Sequence, residues 1–218
     1  MVNRSGGAVN GILDVRQQVL DEASRLFLQY GFKKTTMDEI ARRVGISKGA
    51  LYLHFDSKEA IFLEIGNQVR THLLGLLASV ATSDLAADEK IRQMHLDSLS
   101  YAWDYFHQAP HAPEVWGETT AMFNIRNTEF YKQCQRLVAQ VVSEGQETRI
   151  FRRDVEPDRA AWLLAMASQG FSPPYLRVSE RKELLEGALE TVNLMLDGLS
   201  HWHDEMTAER VGTGDMTP

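Results

Sequence analysis

A single cysteine, Cys134, stands in 218 residues, so no internal disulfide can staple the chain, which suits a reducing compartment. The thiol is read either as a buried helix residue or as a redox sensor. Long apolar runs are also missing. The longest, roughly Leu73 to Ala81, falls well short of the ~20 residues a membrane-spanning helix needs. No apolar segment follows a basic start, so no signal peptide is expected and the chain is placed in the cytoplasm, away from membranes. Strict polar–apolar alternation of useful length is absent, which argues against a sheet. So are a glycine-rich phosphate loop and a Ser/His/Asp set in a recognisable context, which argues against an enzyme. His107 and His111 lie four apart, but Pro110 breaks the helix that would align them, and His201 and His203 point to different sides. No metal and no cofactor are expected.

What is present is ordinary in bulk and uneven in placement. Hydrophobic residues make up 44% and charged residues 24%, typical of a globular chain. The net charge of −7 hides an asymmetry. Residues 1–58 carry nine Lys/Arg and six Asp/Glu, whereas the remainder carries 14 and 24. A mildly basic end on an acidic body would attract phosphates at that end only and would fix a docking direction.

Apolar residues recur at helical spacing almost throughout. Val15, Val19, Ala23, Leu26, Phe27 and Tyr30 form one stripe, and Gly31 ends that helix. Ile61, Ile65 and Val69 open a long helix reaching about Val80. Further helices are expected over Asp88–His107, Glu118–Ile150, Asp158–Gly170 (with Pro157 in its first turn) and Glu180–His201. The fold class is therefore all-α. Residues 1–10 read as a disordered leader, 11–58 as a three-helix domain, 59–205 as a larger helical domain, and 206–218 as a disordered tail.

Thr35 to Phe62 carries the sharpest signal. Thr36 and Glu39 have capping-box spacing, Ile40, Ala41 and Val44 give an inner face, and Gly45 suits a sharp reversal. Ser47 then caps a second short helix whose outer face offers Lys48, Ala50, Tyr52 and His54, while Leu51 and Phe55 anchor it inward. Two short helices about a tight turn form a helix-turn-helix, which lays its second helix in the DNA major groove. Thr35, Thr36, Ser47, Lys48, Gly49, Ala50, Tyr52, His54 and Lys58 are the candidate DNA contacts. Tyr52, His54 and Lys58 suit phosphates; Lys48, Ala50 and Thr36 are the candidates for base edges.

The run Thr35-Thr36 through Gly45-Ile46-Ser47-Lys48-Gly49-Ala50-Leu51-Tyr52-Leu53-His54-Phe55, with Lys58-Glu59 and the earlier Tyr30-Gly31-Phe32, resembles the TetR/AcrR family of bacterial transcription regulators. The specific likeness covers about residues 14–65; downstream only helix number and length agree. It implies a homodimer that binds a near-palindromic operator and releases it when a small ligand binds.

The body gives softer signals. Leu99, Trp103, Phe106, His107, Trp116, Met122, Phe123, Trp162 and Met166 are candidates to line a pocket for an apolar or aromatic effector, because aromatic and Met side chains adapt to irregular shapes. The same residues could simply fill a helical core. Leu185, Ala188, Leu189, Val192, Leu196 and Leu199 form an apolar face on the last helix. Ala160, Ala161, Ala165, Ala167 and Ser168 allow close contact on the preceding one. The last two helices are the expected homodimer surface, with burial inside one subunit as the alternative. The chain is thus expected to be a ligand-responsive repressor. The alternative is a DNA-binding regulator without a small-molecule ligand, its body serving dimerisation or a protein partner.

Overall fold

A computed structural model of the protein describes residues 5–107, 109–111, 114–115, 129–168, 171 and 180–200, with side chains from 15 onward. Those residues form helices and no strand: α1 Ser5–Tyr30, α2 Met37–Val44, α3 Lys48–His54, α4 Lys58–Ala81, α5 Ala87–Phe106, α6 Glu129–Glu147, α7 Pro157–Ser168 and α8 Arg181–Leu199. The all-α expectation holds. α1 begins at Ser5, so residues 5–10 are helical where a leader was expected; Val9 and Ile12 extend the three-and-four spacing of Val15 and Val19 upstream. The expected helix from Glu118 is seen as Glu129–Glu147, and its first part, like the 206–218 tail, lies outside the described residues.

Local chemistry sets the short helices. Thr36 Oγ1 accepts from Glu39 N at 3.2 Å, the hydroxyl half of the expected capping box. Ser47 Oγ accepts from Ala50 N at 3.1 Å, and Ser57 Oγ from Ala60 N at 3.1 Å, starting α3 and α4. Gly45 closes α2 at φ 81°, a left-handed conformation that only glycine adopts without strain.

The chain divides into two compact units, Met1–Leu73 with Ala102–Thr128, and Leu74–Tyr101 with Glu129–Pro218. Both divisions fall inside helices, at 73/74 in α4 and 101/102 in α5. The expected domain boundary was at 58/59. The first unit keeps the start of α4 because Ile61, Phe62 and Ile65 belong to its core.

That core gathers Val19, Leu20, Ala23, Leu26 and Phe27 of α1, Ile40 and Ala41 of α2, Leu51 of α3, and Phe55. The rings of Phe27, Phe32 and Phe62 pack mutually at centroid distances of 4.8–5.6 Å. α3 has seven residues, far below the length at which a helix persists alone. Complete burial of Leu51, a contribution of about 1.5–3 kcal/mol, holds it in place. The second unit has its own core, from Leu77 and Ala81 of α4 through Ile91, Met94, Val141, Val142, Phe151, Ala160 and Leu164 to Val192, Leu196 and Leu199.

Candidate functional site

The tip of the first unit is built from α2, the Gly45 turn and α3. Leu51 and Phe55 point inward as expected. Opposite them, Lys48, Gly49, Tyr52 and Leu53 are exposed, with Ala50 and His54 partly covered at the flanks. The outward face is therefore rotated slightly from the expected one. Leu53 is 87% exposed, the least covered large apolar side chain among the described residues. Its position two residues from buried Leu51 puts it on the far side of the helix, a register argument that its apolar character disguised. Arg42 and Arg43, exposed on the last turn of α2, add positive charge that the motif reading passed over.

Other expected contacts have structural duties here. Thr35 is buried, and its hydroxyl donates to Gly31 O at 2.9 Å, bracing the turn after α1 rather than facing outward. Lys58 also points inward. Its Nζ donates to Phe32 O at 2.7 Å and Thr35 O at 2.9 Å, and sits 4.4 Å from the Phe32 ring centroid. An ammonium so occupied bolts the start of α4 to the α1–α2 loop and is not aimed at a phosphate. Lys48 Nζ pairs with Asp38 at 2.7 Å, and this carboxylate raises its pKa.

Arg16 was not singled out in the sequence, yet it joins three elements. Its guanidinium bonds Glu64 of α4, donates from Nη1 to His54 O at 2.6 Å, and lies 4.1 Å over the Phe55 ring. The last carbonyl of α3 is thereby tied to α1 and α4. Only a contact map reveals this, because its partners are 38 and 48 residues away.

The effector candidates do not gather into one site among the described residues. Leu99 and Trp103 are buried. Phe106 packs against the core of the first unit, and His107 stacks on Trp103 at 3.9 Å. Trp162 and Met166 are instead exposed on α7, with Arg159 over the Trp162 ring. Trp116, Met122 and Phe123 lie outside the described residues. On α8, Val192, Leu196 and Leu199 belong to the core of their own unit, as does Ala160 on α7, and Ala188 and Ala161 are buried as well. The large exposed apolar side chains of these helices are Trp162, Leu163, Met166 and Leu194. Among the described residues no group of three or more His, Cys, Asp or Glu is placed to hold a metal, and no helix is long and apolar enough to cross a membrane.

The family described as bacterial regulatory proteins, tetR family, matches residues 19–65, from α1 to the start of α4. The HTH-type transcriptional repressor KstR2 of Rhodococcus jostii (strain RHA1) is 29% identical over 196 residues, 87% of this chain and 93% of that protein. The HTH-type transcriptional repressor DhaR of Mycobacterium sp. (strain GP1) is 26% identical over 183 residues, 82% of this chain and 90% of that one. Among solved structures, SmeT of Stenotrophomonas maltophilia in complex with triclosan superposes with a TM-score of 0.65. It is 17% identical and covers 87% of this chain and 93% of its own, a likeness of fold. With a capped helix-turn-helix at 36–54, residues 19–65 are a DNA-binding segment of the tetR family, and the chain, similar over most of its length to transcriptional repressors, is a regulator rather than an enzyme.

Proposed function

We propose that the chain is a cytoplasmic repressor that binds a near-palindromic operator as a homodimer and leaves it when a small apolar or aromatic effector binds the body. The observation that carries the DNA half is α3. It is capped by Ser47, fixed by Leu51 and Phe55, and turns Lys48, Gly49, Tyr52 and Leu53 outward. Tyr52 suits phosphates, and Lys48 a base edge or, once released from Asp38, a phosphate; Gly49 and Ala50 permit close approach, and Leu53 suits a thymine methyl. Thr36 and His54 stand at the edge of this face as further contacts. The repressor sign is supported by KstR2 and DhaR, both repressors, and effector binding by SmeT, which holds triclosan.

A dimer presents two α3 helices to successive major-groove turns. Exposed Trp162, Leu163 and Leu194 on α7 and α8 support these two helices as the interface, through residues other than those the sequence suggested. Buried Leu99 and Trp103 are the candidates of the effector set that remain inward. α4 supplies residues to both cores, so effector-driven displacement of its Glu59–Val69 segment would change the separation of the reading helices.

Footprinting of the purified protein on its own upstream region, at two salt concentrations, tests the DNA reading. A symmetric protected site of two half-sites is expected; salt-sensitive background alone would remove local autoregulation. Tyr52→Ala is expected to weaken binding to all sequences alike, and a loss confined to the operator would overturn its phosphate assignment. If tryptophan fluorescence and melting temperature do not respond to a broad apolar library, the body serves dimerisation or a protein partner.

A further inference from the structure

Lys48 stands at the first position of α3, on the outward face, yet its ammonium is occupied. Asp38, in the first turn of α2, holds it at 2.7 Å. The two side chains are 59% and 65% exposed, so solvent and DNA reach both. The partners differ in mobility. Asp38 is a short side chain on a helix whose start is capped by Thr36, and the positive end of the α2 dipole favours a carboxylate there. Lys48 is a long, flexible chain that can go to either anion. A DNA phosphate approaching α3 must therefore take the ammonium from a carboxylate already fixed beside it, and would leave that carboxylate uncovered next to the DNA backbone.

We infer that Asp38 competes with DNA phosphate for Lys48, keeping this cation latched and lowering the protein's affinity for DNA of any sequence. The inference rests on α3 being the DNA-reading helix. A latched lysine releases no phosphate counterion, so it is silent in the salt dependence of binding; a freed one adds about 0.9 to the slope of log K against log salt concentration. In a dimer engaging both tips, the addition doubles.

The test is a double-mutant cycle on the full-length chain. Binding is measured from 50 to 300 mM salt to two duplexes of equal length, one from its own upstream region and one of shuffled sequence. In the otherwise unchanged protein, Lys48→Gln uncovers the Asp38 carboxylate beside the DNA and is expected to weaken binding to shuffled DNA. Asp38→Asn is expected to steepen it by about 0.9 per tip and to tighten binding about eightfold per tip near 0.1 M salt. Adding Lys48→Gln to Asp38→Asn should return both to the starting values, and Asp38→Ser should repeat the Asp38→Asn result. A slope shallower in the double variant than in the unmodified chain would show Lys48 already on phosphate and overturn the latch. So would tightening by Asp38→Asn that persists in the double variant, because Asp38 would then act as a distant charge rather than through Lys48. If the unmodified chain binds neither duplex measurably, the DNA-reading assignment of α3 fails first; binding to shuffled DNA alone still decides the latch.

Discussion

Acidification from pH 7 to 4 should weaken the second unit through one ring, His95. Its Nδ1 lies 2.8 Å from Ser168 Oγ, and that hydroxyl, with a single proton, also lies 2.8 Å from Leu164 O. When Ser168 donates along its own helix to Leu164, Nδ1 must carry the ring proton, leaving Nε2 as a bare acceptor. Nε2 is buried and has no hydrogen-bond partner, the one such side-chain atom among the described residues. A second proton has to be placed there, away from water, and burial accordingly pulls the His95 pKa from 6.5 down to about 4. In the unfolded chain the ring titrates near 6.5. Between these values the unfolded state takes up a proton that the folded state refuses. Stability is thus whole above pH 6.5, falls as pH drops through the window, and levels off below about 4. At ~1.4 kcal/mol per pKa unit the loss is about 3 kcal/mol.

Urea unfolding of the unmodified chain and of His95→Leu, at matched concentration and at several pH values from 7 to 4, isolates this loss. The carboxylates common to both chains cancel in the difference. At pH 7 the two should be nearly equal, because leucine removes an unsatisfied acceptor while Ser168 keeps its bond to Leu164. At pH 4 the leucine variant should be the more stable by about 3 kcal/mol. Parallel stability curves across the range would refute the argument, since His95 would then be charging freely in the folded state.

Three other perturbations test the packing. Lys90 is buried and its Nζ meets both Glu144 oxygens at 2.7 and 2.8 Å, so Glu144→Ala should destabilise by about 3 kcal/mol in urea unfolding, while Lys90→Met with Glu144→Ala recovers most of it. Gly145→Ala would place a methyl group against the buried Phe151 ring and 3.0 Å from Ala87 Cβ, for a loss of about 1–3 kcal/mol or more by thermal melting. Burial pushes the Cys134 thiol up to about 12, so Ellman's reagent at pH 8 should label it only as the chain unfolds; fast labelling of the native protein would restore the redox reading.

The helices and the reading tip were legible because their determinants are local. The Gly45 reversal needs only its own φ of 81°, and the apolar stripe of α1 is visible in the order of residues. What periodicity leaves open is the identity of the surface that covers a stripe. On α8, Val192, Leu196 and Leu199 have the pattern of an interface and the pattern of a core, and the second unit uses them as core. The most apolar face of α8 is spent on the core, whereas the exposed Trp162, Leu163 and Leu194, proposed above for the dimer, sit among charged neighbours such as Arg159, Glu190 and Asp197 that dilute an apolar pattern.

The separation in sequence between partners sorts the remainder. The caps Thr36–Glu39 and Ser47–Ala50 span three residues, and both follow from residue type and spacing alone. Lys58 reaches back 26 residues to Phe32 O, Arg16 reaches 48 to Glu64, Lys90 reaches 54 to Glu144, and His95 reaches 73 to Ser168. Each of these side chains is polar at a position where a local reading offers only solvent or a ligand as its partner. Lys58 was accordingly assigned a phosphate, and the other three no role. Folding supplies the distant partner and converts a motif lysine into a bolt between a loop and a helix. The same logic applies to Lys48. Its partner Asp38 is only ten residues away, but across a turn whose geometry decides whether they meet, so the charge most readily assigned to DNA is the one whose availability depends on the fold.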